Sequence, residues 1–92
     1  MPVFIYLMED KNPLNPEIVV RHIEHLRCLD EAGSLVLCGP FTEHPGGMVV
    51  LRATDKSAAL RIAQNDPFIA EGYKTFELRT LEVADASNDY LG

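Results

Sequence analysis

Leu35-Val36-Leu37-Cys38-Gly39-Pro40 and Met48-Val49-Val50-Leu51 are two short apolar runs, and the segment between them ends in Pro45-Gly46-Gly47. Short β-branched and aliphatic runs on either side of a proline- and glycine-bearing turn read as two strands joined by a hairpin. Pro40 closes the first of them, because proline cannot donate to a ladder. Upstream, Asn15 is placed to cap a helix with Pro16 at its first position, where the missing N–H costs nothing. That helix is predicted from Pro16 to Ala32, with an inward stripe of Val19, Ile23, Leu26 and Leu29, and stops at Gly33. Before it, Val3 to Leu7 is a β-branched and aromatic strand. Downstream, Thr54 or Asp55 caps a second helix with an inner stripe of Ala59, Ile62 and Ala63, and Asp66-Pro67 ends it. Thr75 to Val83 forms the last strand, at a sheet edge.

The order is βαββαβ. With right-handed crossovers and a central hairpin this gives an α+β, ferredoxin-like antiparallel sheet with both helices on one face. The first three strands are apolar at both parities, whereas a half-exposed sheet alternates. The helix-free face is therefore expected to be covered by a second copy, in a homodimer packed sheet to sheet.

With 92 residues, 47% of them hydrophobic and 24% charged, the chain has room for one globular domain, placed at residues 1–83, and its composition argues against disorder. Ala84 to Gly92 is a polar, acidic tail, expected to fray or to drape over a neighbour. The net charge of −6 disfavours phosphate backbones and anionic lipid surfaces, so neither nucleic acid nor a membrane is an expected partner. No apolar run approaches the ~20 residues of a membrane helix, and the start lacks the basic segment of a signal peptide. Cys28 and Cys38 show no CxxC spacing and suit reduced thiols in the cytoplasm.

Following the strand directions places the start of the first helix, the end of the second strand and the end of the second helix at one rim. That rim gathers His22, Gly39-Pro40-Phe41, His44, Pro45-Gly46-Gly47, Asp66-Pro67-Phe68 and Gly72. His22 interrupts the apolar stripe of its helix, and Asp66 extends that of the other. An aspartate bonded to one ring nitrogen fixes a histidine's tautomer and leaves the second nitrogen free as general base or acid. The same spacing also suits a helix-end carboxylate that merely satisfies a half-buried histidine; both readings stay open on the residues alone. Gly39 and Pro40 either end a strand or keep a pocket floor low, Gly72 turns the chain into the last strand, and Tyr6, Phe41, His44 and Phe68 are candidate pocket walls. His25 lies off the stripe and is expected in solvent. No third ligand stands at a standard spacing from His22 and His25, so no metal is expected. Cys38 reads as a small core side chain.

His22, Gly33, the Leu35 to Phe41 strand, Gly46-Gly47, Asp66-Pro67-Phe68 and Gly72, taken in order over residues 1 to about 83, resemble the YCII-related (YciI-like) family. The resemblance implies a dimeric α/β barrel and an active site built on a histidine–aspartate pair, which maps onto His22 and Asp66. It further implies proton-transfer chemistry on a small cyclic or aromatic molecule without a cofactor, as in chlorohydroxyquinol dehydrochlorinases and muconolactone isomerases. The family's frequent arginine three positions before the histidine is Val19 here, its helix-capping serine is Asp55, and its late tryptophan is missing. Two functions remain in view: a cofactor-independent enzyme using His22 and Asp66, and a non-catalytic dimeric module that binds a small molecule.

Overall fold

The computed structural model describes residues 2–84; most of the acidic tail lies outside them. Along the chain run β1 (Pro2–Asp10), α1 (Pro16–Glu31), β2 (Leu35–Pro40), β3 (Gly47–Leu51), α2 (Lys56–Asn65), α3 (Pro67–Ala70) and β4 (Lys74–Glu82). The strands form one antiparallel sheet in the order β2-β3-β1-β4. This is the ferredoxin-like arrangement, with β1 and β3 central and β4 at an edge.

The helix starts follow from their caps. Asn15 Oδ1 accepts the Ile18 N–H at 2.9 Å, and Asp55 Oδ1 accepts that of Ala58 at 2.8 Å. Asp55 rather than Thr54 is thus the cap of α2. On the sheet, Phe4, Tyr6 and Met8 of β1 and Val49 and Leu51 of β3 face the helices and are buried. Ala59 and Ala63 of α2 are fully buried against this layer, and their small side chains let the helix approach the sheet closely.

Two expectations are corrected. The buried residues of α1 are Ile18 and His22, while Ile23, placed in the inward stripe, is 45% exposed. The run from Ile18 to Ile23 is apolar at four of six positions, so periodicity alone did not fix the rotation of the helix. Asp66, expected as the last inward residue of α2, has extended backbone (φ −61°, ψ 123°) beyond the helix end. It closes α2 and at the same time caps α3, with Pro67 at the first position of the new turn. A stop signal was therefore also a start signal, and the sheet carries three helices rather than two.

The other sheet face carries Val3, Ile5 and Leu7, opposite Leu81 on β4 and Val50 and Met48 on β3, with Leu37 beside Val50 on β2. It is apolar across its centre, as the unalternating strands foretold. No helix among the described residues is long and apolar enough to cross a membrane.

Candidate functional site

Three elements converge on one carboxylate. Asp66, at the α2–α3 junction, is fully buried. Its Oδ1 lies 2.7 Å from His22 Nδ1 on α1 and accepts the Phe68 N–H at 3.0 Å. Its Oδ2 accepts the Tyr6 hydroxyl of β1 at 2.7 Å. Burial by itself pushes the Asp66 carboxyl up, but the bond and charge of His22, then the Tyr6 and Phe68 bonds, outweigh it and hold the pKa below the usual value. Burial, reinforced by the neighbouring Asp66 charge and bond, drives the Tyr6 pKa upward, so its phenol remains a donor.

An ionised carboxylate only accepts, so Nδ1 of His22 carries the proton of this bond. Among the described residues no group bonds Nε2 of His22. The Phe68 ring stacks on the imidazole, 3.8 Å between centroids and 10° from parallel, and fixes the plane of the ring.

His22 and Phe68 form part of the wall of a cavity of about 450 Å³ between α1 and the β2–β3 hairpin. Val19, Ile23 and Leu26 of α1 line it opposite Cys38 and Val49. Val19 and Leu26 thus border this space and also pack against the core, while Ile23 lies on the open side of the cavity, which explains its exposure. An outer cavity of about 550 Å³ lies at the same rim, and Leu14, Pro40, Gly46 and Lys74 line both. Gly46 holds the rim loop in place. Its φ is +90°, and a Cβ there would stand 2.1 Å from the Met8 carbonyl oxygen, so only glycine lets the loop rest on β1.

The candidate wall residues divide three ways. Gly39, Pro40 and Phe68 line the inner cavity with His22, whereas Phe41 and His44 line the outer one. Tyr6 and Gly72 line neither. Tyr6 lies wholly inside the core, its hydroxyl committed to Asp66; Gly72 sits in the α3–β4 turn, where its carbonyl accepts the Asn12 amide at 2.7 Å. His25, expected in solvent, is half-buried, and its Nε2 is enclosed with no hydrogen-bond partner among the described residues. Desolvation lowers its pKa, which keeps the ring neutral. Three residues beyond His22, it lies on the flank of α1 that the sequence reading had turned outward. Cys38 borders the cavity rather than the core, and burial, then Asp30, push its thiol up, away from the reactive thiolate.

Lys74 is a charged wall residue that the sequence reading passed over, as it did Met8, Leu14 and Met48. Its signal was parity: it alternates with Phe76 and Leu78 on β4, opposite Asp10, Met8 and Tyr6 of β1, so it shares their helix-side face.

The family model of the YCII-related domain matches residues 1–82. The chain belongs to the YCII-related family. Another protein similar to this YCII-related chain is the uncharacterized protein YjpA of Bacillus subtilis (strain 168), 32% identical over 72 residues, which cover 78% of this chain and 85% of that protein. Among solved structures, 5-chloro-2-hydroxyhydroquinone dehydrochlorinase (TftG) from Burkholderia phenoliruptrix AC1100, in complex with 2,5-dihydroxybenzoquinone, superposes with a TM-score of 0.68 at 16% identity, covering 92% of this chain and 97% of that one. Muconolactone isomerase gives 0.67 at 13% identity, with coverage of 90% and 88%. A mutant of MhuD with two manganese protoporphyrin IX bound per active site gives 0.51 at 19%, with coverage of 90% and 94%. At these identities the likeness establishes the shared ferredoxin-like fold alone.

Proposed function

We propose that this YCII-related protein is a cofactor-independent enzyme in which His22, oriented by Asp66, moves a proton on a small cyclic or aromatic metabolite. The observation that carries the reading is the buried carboxylate bonded to Nδ1 of a histidine whose ring lies on a cavity wall. Nε2 takes a proton from a carbon of the bound molecule, and the C–H electron pair becomes a C=C bond. The displaced charge then leaves with a departing anion, as in an elimination, or the proton returns at another carbon, as in an isomerisation. Asp66 stabilises the imidazolium formed in between, and the apolar surroundings strengthen that interaction. The dehydrochlorinase and isomerase among the structural neighbours support activity on small molecules.

The test is deuterium incorporation from D2O into substituted hydroquinones and unsaturated lactones, followed by proton NMR. The wild type exchanges a ring-bound hydrogen, and His22→Ala slows this by about 10² to 10⁴-fold, the usual worth of a general base. Binding without exchange, with that binding retained in His22→Gln, favours the non-catalytic binding module. We further propose that a second copy covers the apolar sheet face, in line with the pattern of Ile5, Leu7, Met48 and Val50.

A further inference from the structure

Among the described residues Lys74 is the one lysine, arginine, aspartate or glutamate on the inner cavity wall. Its side chain is only 10% exposed. The ammonium lies 2.6 Å from Asp10 Oδ1 and 5.3 Å from the centroid of the Phe68 ring, whose stacking partner is the His22 imidazole. It also borders the outer cavity, so a ligand entering from the rim meets it. A cation withdrawn from water loses hydration that something must replace. Asp10 replaces part of it, but the Asp10 side chain is 56% exposed, and a pair with one hydrated member gains little from its attraction. The result is a cation fixed on an apolar wall with a counter-ion that water can take over.

We propose that Lys74 is the anion subsite of this cavity. Its ligand is a small ring compound bearing one anionic oxygen, with the ring in the inner cavity against His22 and the oxygen on the Lys74 ammonium in place of Asp10. This rests on the inner cavity being the substrate site, and it narrows the substrate class to organic anions. A cation on the same wall as His22 also stabilises negative charge that proton removal spreads onto a conjugated oxygen.

Benzoate and its neutral counterpart benzamide test this, titrated into the ¹⁵N-labelled protein. Benzoate shifts the His22 and Phe68 signals and binds about tenfold or more tighter than benzamide, the usual gain of a charge-assisted bond. Lys74→Met, which keeps the packing on Phe68, abolishes that preference. Asp10→Asn, which frees the ammonium, tightens benzoate several-fold. A cross-strand staple predicts the contrary, with both substitutions weakening binding alike; that result overturns the proposal, as does equal affinity for the two probes or no benzoate binding at millimolar concentration. His22→Ala retains the benzoate preference, so a failure of the proton-transfer reading and a failure of the anion subsite are seen separately.

Discussion

Asp66 shows how a single residue links stability to chemistry. Its carboxylate is fully buried and accepts from His22, Tyr6 and the Phe68 backbone. Removing one donor leaves an acceptor short in a dry site, so Tyr6→Phe is expected to cost about 2 kcal/mol in urea unfolding, as for other bonds to charged groups. The direction of the pKa sets an acid profile. The folded value lies below the ordinary 3.8, so between the two the unfolded chain binds the additional proton. The contribution of Asp66 is therefore complete above about pH 4 and is lost as pH falls through the folded value. Asp66→Asn is predicted to be about 3 kcal/mol less stable at neutral pH, with a flatter acid slope. An unfolding midpoint that falls as steeply with acid in the variant as in the wild type contradicts this.

The hairpin and the helix caps were legible at the level of elements, because proline, glycine and the capping residues act over two or three positions. Where one element is placed against another was legible only in part. Val19, Ile23, Leu26 and Leu29 were read as one inward stripe, but Ile23 is exposed on the cavity wall while Val19 and Leu26 also meet the core, and that division depends on the hairpin that stands opposite. Asp66-Pro67 was read only as a helix end, although a capping aspartate followed by proline is the same local start signal that Asn15-Pro16 gives for α1. The rim loop depends on one residue. Gly46→Ala meets both a positive φ and the Met8 carbonyl, and is expected to cost at least about 2 kcal/mol in thermal unfolding. A melting curve unchanged from the wild type contradicts the seating of this loop on β1.

For the molecule as a whole, strand order and the common rim followed from connectivity and handedness, which prune the possible topologies to very few. The Tyr6 bond to Asp66 spans sixty residues and has no local signature. The open sheet face gives an expectation at this scale. Light scattering is predicted to report about twice the chain mass of 10.2 kDa, and Ile5→Lys, which places a charge at the centre of that face, to yield a folded monomer. A wild-type monomer contradicts the proposed pairing. The central claim joins α1, β1 and the α2–α3 junction: Asp66 holds His22 with its proton on Nδ1 and its Nε2 lone pair free. Long-range ¹H–¹⁵N NMR of the histidine rings, at a pH where the imidazole is neutral, measures this directly. The account predicts the Nδ1–H tautomer for His22 in the wild type and a mixture in Asp66→Asn; an Nε2–H tautomer in the wild type, or identical spectra in the two proteins, contradicts it.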